Sequence, residues 1–196
     1  MTDQSASSPS LVPELRECVE AIAGQTEHVR GLVEPLTEHQ FSWRPDSERW
    51  SVGQNLSHLV LTNRSYLDSV EKALEEARAK GHLGEGPYRH GWLGKWFIRV
   101  LEPPPRMKVK TFSRLEPLES GSKEDVLREF QGVQDEARAS MEAANGVDLG
   151  RARFPSPFLG ALKFSVGQAY RIILAHNRRH FHQIQQILED DGFPRA

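Results

Sequence analysis

A single cysteine, Cys18, stands in 196 residues, so no intramolecular disulfide framework is possible. Its register puts it on the apolar stripe of a helix, where packing is its expected role. No stretch approaches the roughly 18 consecutive apolar residues of a membrane span. Neither charge sign dominates: the formal net charge is -2, which gives no electrostatic case for nucleic acid or an anionic membrane. Arginines gather only locally, at Arg151, Arg153, Arg178 and Arg179. The opening MTDQSASSPS lacks the basic start and apolar core of a signal peptide. The expected compartment is therefore the cytoplasm.

What is present is enough hydrophobic sequence, 38%, for one sizeable core. Residues 1–10 read as a disordered lead, 11–190 as one domain and 191–196 as a tail. The final long run, Ser165 to Asp190, has apolar residues at Val166, Ala169, Tyr170, Ile173, Leu174, Ile184 and Ile187. Steps of three and four predict a helix with one buried stripe. A first helix, Leu11 to Glu34, follows from Leu11, Leu15, Cys18, Ile22, Val29 and Leu32 or Val33, with Pro13 tolerated in its first turn. A connector over 35–50 carries Trp43 and Trp50, which are expected to pack against the helices. Ser51 and Gln54 form a capping box that opens a second helix running to about Lys80. Ser122 caps a third, whose stripe is Val126, Phe130, Val133, Ala137 and Met141; it stops near Asn145-Gly146. Residues 81–121 read as a long crossover with a short helix at Trp92–Leu101, and 92–120 as a lid. Residues 147–164 read as a plain connector. Four amphipathic helices with little strand-like alternation predict an all-α four-helix bundle, and the long crossover between helices two and three permits up-down-down-up order. The short connector predicts that helices one and two are antiparallel neighbours.

Two histidines, His176 and His180, interrupt the stripe of the last helix where leucine would be expected. Four residues apart, they stack on one face and can chelate one ion. His58, near the start of the second helix, is the candidate third imidazole. Neutral imidazole suits zinc, nickel or iron(II). A divalent ion there would lower the pKa of a coordinated water or thiol and polarise a carbonyl. No HExxH is present, since Asn177 follows His176, and the four-glutamate pattern of ferritin-like bundles is missing. Asn55, Thr62 and Gln183 are the groups placed by helical offset to orient the imidazoles. Arg179 reads by default as a solvated arginine and is a candidate for steadying an anionic cofactor or substrate, while Tyr66 and Tyr170 read by default as core residues and are candidates for presenting catalytic hydroxyls. His182 reads as surface. His28, His39, His82 and His90 read as solvent-facing or as local hydrogen-bond formers.

Together the Trp50-Ser-Val-Gly-Gln-Asn-Leu-Ser-His58-Leu59 segment, the Leu101-Glu-Pro-Pro-Pro105 turn and Ala175-His176-Asn-Arg-Arg-His180-Phe-His-Gln183-Ile184 resemble the DinB-like family. The resemblance runs from about Leu11 to Leu188. It implies a four-helix bundle in up-down-down-up order, frequent homodimers, and a zinc or nickel ion held by three histidines that map onto His58, His176 and His180. Activities in the wider superfamily are transfers that use a low-molecular-weight thiol and a mycothiol-dependent maleylpyruvate isomerisation.

The function this implies is a metal-dependent enzyme, a small-thiol-dependent S-transferase or a related hydrolase acting on a small electrophile. The alternative is a non-catalytic, metal-stabilised bundle serving as a binding or stress-associated scaffold. No membrane or nucleic-acid partner is expected.

Overall fold

The computed structural model describes residues 10–104 and 121–195. Residues 1–9 of the expected disordered lead (1–10) and 105–120 of the expected lid (92–120) lie outside the described residues.

Helix dominates what is described, as the apolar periodicity predicts. Helix α1 spans Pro13–Val33, with Pro13 in its first turn. Its buried face is Leu15, Cys18, Ile22, Val29 and Val33, so Val33 rather than Leu32 completes the stripe. Burial pushes the Cys18 thiol up to about 11, the mark of a packing group rather than a nucleophile. The connector that follows is not plain. It folds a short α2, Glu38–Ser42, capped reciprocally by Thr37 and Gln40. Five residues are too few to show a period, so only the cap betrays this helix.

Helix α3, Val52–Ala79, starts at the expected box. Gln54 N donates to Ser51 Oγ (3.1 Å) and Ser51 N to Gln54 Oε1 (3.0 Å). Such a cap contributes about 1 kcal/mol and sets where the helix begins. Helix α4 is the expected short one, Trp92–Leu101. Helix α5, Lys123–Ala143, buries all five expected stripe residues and also Gln134. It is followed by Gly146 at φ +82°, the left-handed stop that glycine accommodates. The connector read as plain instead holds a hairpin. Strand β1 (Arg153–Pro155) pairs antiparallel with β2 (Lys163–Ser165), Phe154 opposite Phe164. Three-residue strands are shorter than any alternation detectable in sequence. Helix α6, Val166–Leu188, begins directly from β2 through the Ser165–Gln168 box.

Packing follows from these faces. α1 and α3 each pack against both α5 and α6. Their directions are fixed by contacts far apart in sequence. Val12 N donates to Asn145 Oδ1 and Lys123 Nζ to the Glu34 carbonyl, so α1 and α5 run antiparallel. Asn55 meets His180 and Asn63 meets Asn177, so α3 and α6 also run antiparallel. Glu14 lies near Arg171, and His28 near Phe181, so α1 and α6 run parallel. Consecutive α1 and α3 are not a principal packing pair, contrary to the expectation from the short connector; each instead leans on the two later helices.

Four amides tie the long helices together at mid-height. Asn177 Nδ2 donates to Gln25 Oε1 (3.1 Å) and Gln134 Oε1 (3.3 Å), while Asn63 Nδ2 donates to Asn177 Oδ1 (3.0 Å). Asn63, Gln134 and Asn177 are essentially inaccessible. These bonds favour one register of the four helices over slipped ones, while Asn63 Oδ1 and Gln134 Nε2 stay buried without a partner among the described residues, each at a cost of about 1–3 kcal/mol. No described helix is long and apolar enough to cross a membrane.

Candidate metal centre

One helical turn from that cluster, toward the N-terminal end of α3, the same two helices bring the three histidines together. The start of α3 is fixed by the Ser51 cap, which places His58 in its second turn. His176 and His180 face it from α6. Ring centroids are 5.2 Å apart for His58–His176, 4.8 Å for His58–His180 and 4.6 Å for His176–His180. One ligand nitrogen from each ring lies within 4.8 Å of the others. His58 and His180 are buried and His176 is half-buried.

The chemistry of this donor set fits a cation. His180 Nε2 and His176 Nε2 are 3.1 Å apart. Two nitrogen lone pairs at that distance repel unless a proton or a cation lies between them. Nitrogens each about 2.0–2.1 Å from a tetrahedral ion would be about 3.3 Å apart. Burial holds the His176 imidazole down to about 3, with the charges of His58 and Arg179 adding to it. His180 is likewise held well below its usual value, by burial first and then by His176, His58 and Arg179. Neutral imidazoles are what a metal requires.

Neighbours set the orientation of the rings. His180 Nδ1 lies 2.8 Å from Asn55 Oδ1, and Asn55 Nδ2 donates to the Ser51 carbonyl at 2.8 Å. The second bond fixes which end of the amide faces the ring. An oxygen there requires a proton on His180 Nδ1 and leaves Nε2 bare, an assignment made from the hydrogen-bond network. Thr62 Oγ1 donates to the His58 carbonyl (2.9 Å) and makes a long 3.5 Å contact with His176 Nδ1. The Trp50 indole covers two of the rings, near-parallel to His180 (5.9 Å, 14°) and tilted on His58 (4.9 Å). The expected packing role of Trp50 is thus directed at the site itself, while Trp43 packs edge-on against Phe193.

Arg179, read as solvated by default, is only 7% exposed. Its Nη1 donates to the Val100 carbonyl of α4 at 3.3 Å, and its charge reaches both His176 and His180. Gln183 is half-buried, and its side chain has no hydrogen-bond partner among the described residues. The two tyrosines are held elsewhere. Tyr170 donates to the Ser140 carbonyl (2.9 Å) and lies wholly inside the core. Tyr66 packs edge-on against Phe158, and burial pushes its hydroxyl up to about 12 despite a hydrogen bond with Ser156. The catalytic roles expected of Tyr66 and Tyr170 gain no support from this placement.

His90 also departs from its expected role as a solvent-facing or local group. Its Nε2 is 2.7 Å from Glu14 Oε1 and its Nδ1 is 2.9 Å from Ser165 Oγ, so it clasps α1 to the start of α6. The Ser165 hydroxyl beside it caps α6, accepting from Gln168 N, and the residue is buried. Two surface clefts, of about 370 Å³ between α1 and α5 and about 430 Å³ between α1 and α6, include none of the histidine trio. The second is lined by His28 and His182, so His182 stands at the surface as expected, apart from the trio.

Long helices that converge three imidazoles from two elements, with an amide fixing one tautomer, define an all-α protein with a candidate divalent-metal site. A DinB superfamily model matches residues 21–184, and the chain belongs to that superfamily. No curated protein and no solved structure matches it.

Proposed function

We propose that the chain is a metal-dependent enzyme, a small-thiol-dependent S-transferase, in which His58, His176 and His180 hold one zinc or nickel ion. The observation that carries this reading is the composition of the cluster. It has three imidazoles and, among the described residues, no carboxylate or cysteine. Three protein ligands leave coordination positions for a substrate, whereas a structural site is closed by four. When bound, the ion supplies Lewis acidity that lowers the pKa of a thiol and polarises a carbonyl.

The chain's own groups have distinct tasks. Asn55 keeps the proton on His180 Nδ1, so Nε2 faces the centre. Thr62 Oγ1, 3.5 Å from His176 Nδ1, is the oxygen that would accept a weak hydrogen bond from that nitrogen and so leave Nε2 bare. Trp50 excludes water from one side. In this reading the Arg179 guanidinium receives an anionic group of the thiol cofactor or of its electrophilic partner, and Gln183, one turn beyond His180, offers an amide without a hydrogen-bond partner among the described residues. A related hydrolase would use the same ligands but needs donors aimed at an oxyanion.

The architecture in this reading is a four-helix bundle of up-down-down-up order. The antiparallel α1–α5 and α3–α6 pairs and the parallel α1–α6 pair support it. A homodimer is the proposed assembly. A lone buried thiol fits a reducing cytoplasm.

The test loads untagged protein with zinc or nickel and offers a panel of low-molecular-weight thiols with a small electrophile, following thiol consumption. Turnover that disappears in His176→Ala supports the transferase. Stoichiometric metal with no turnover across the panel supports the non-catalytic scaffold.

A further inference from the structure

Helix α4 carries a face that the metal site does not use. Its inner side is held in several ways. Gln168 Nε2 donates to the Gly91 carbonyl at 2.7 Å. Gly94 lies so close to Gln168 that a Cβ there would fall 2.1 Å from Nε2. Phe97 stacks on Phe164 with centroids 5.4 Å apart. Arg178 pairs with Glu102 just past the helix end, its Nε 2.9 Å from Oε2. With that side fixed, Trp92 and Trp96, one turn apart, project outward at 77% and 52% exposure. Besides them, only Leu61 and Leu83 are exposed large hydrophobics among the described residues. Soluble surfaces rarely leave two indoles this bare side by side.

The charges on this face are all of one sign. Lys95 and Arg99 are exposed between and beyond the two indoles, and Arg89 is exposed just upstream. No acidic residue occurs from Pro87 to Leu101. Neither Lys95 nor Arg99 forms an ion pair among the described residues. A whole-chain charge of -2 conceals this local excess, which is why composition gave no case for an anionic surface.

We propose that the outer face of α4 docks the protein, in the plane of the interface, on an anionic lipid surface. Indoles sit at the boundary between headgroups and acyl chains, and flanking cations pair with acidic headgroups. A second copy of this chain fits the face less well. A two-fold contact would set Lys95 and Arg99 against like charges. A ten-residue helix about 15 Å long and about 10–12 Å wide also covers only about 150–180 Å², a small part of the roughly 800 Å² per partner of a stable interface.

The experiment is co-sedimentation of the full chain with vesicles of phosphatidylcholine alone, or mixed equally with phosphatidylglycerol. Two double variants accompany it, Trp92→Ala with Trp96→Ala and Lys95→Glu with Arg99→Glu. All four side chains face solvent, and unchanged helical circular dichroism confirms folding. The expected result is binding to the mixed vesicles that weakens with salt, with a blue shift of tryptophan emission. Loss of the two cations alone should weaken it about 30-fold or more, and loss of the indoles should abolish it. No binding to anionic vesicles, or equal binding by the indole variant, overturns the proposal. So does concentration-dependent self-association that only the indole variant abolishes.

Discussion

Asn55→Ala tests how the metal centre is held without touching a ligand. Asn55 is 1% exposed and accepts from His180 Nδ1 at 2.8 Å. Removing the acceptor frees His180 to carry its proton on either nitrogen and leaves a buried N–H unpaired. Loss of such an orienting partner lowers metal affinity about 10–100-fold, equivalent to about 1.4–2.7 kcal/mol. The unpaired donor costs the metal-free fold about 1–3 kcal/mol, a Tm decrease of about 2–4 °C per kcal/mol for a chain of this size. The Ser51 carbonyl keeps the Asn55 backbone N–H at 3.1 Å, so the cap of α3 survives. Competition with a chromophoric chelator gives the affinity and thermal circular dichroism gives the stability. Asn55→Asp retains an oxygen toward the ring and should recover most of the affinity. Wild-type affinity in Asn55→Ala would refute the orienting role and the tautomer assigned to His180.

Further predictions follow from other contacts. His182→Ala should leave metal content unchanged by elemental analysis, because that ring lines the outer α1–α6 cleft. Gly94→Ala should lower stability by about 1 kcal/mol in urea unfolding, because the new methyl displaces Gln168 from the α6 cap. Burial raises the Glu14 pKa, but the His90 hydrogen bond and the charges of His90 and Arg171 outweigh it and hold the carboxyl below 4.5. Its stabilising contribution is therefore present above pH 4.5 and lost as pH falls through the lower folded value. Glu14→Gln should flatten the acid limb of the urea midpoint against pH; an unchanged profile would mean that the clasp carries no net stability.

The long elements were readable because burial and helical period coincide in them. Ser51–Gln54 and Ser165–Gln168 announce helix starts, and Val126 to Met141 lie on one stripe. His176 and His180 were readable as a pair because helical spacing is local. Their meeting with His58 depends on α3 and α6 lying antiparallel, which only the packing of distant segments determines. The hairpin at 153–165 and α2 escaped because three to five residues carry no period. Arg179 was read as solvated because α4, which covers it, cannot be positioned from sequence. His90 was read as local because its partners, Glu14 and Ser165, lie about 75 residues away on either side.

The most direct measurement is elemental analysis of untagged protein purified without added metal, compared with His58→Ala. The expected result is one zinc or nickel ion per chain in the native protein, and loss of that ion in the variant while the helical signal persists. Metal-free native protein that also fails to take up either ion, or a variant that keeps one ion per chain, would contradict it.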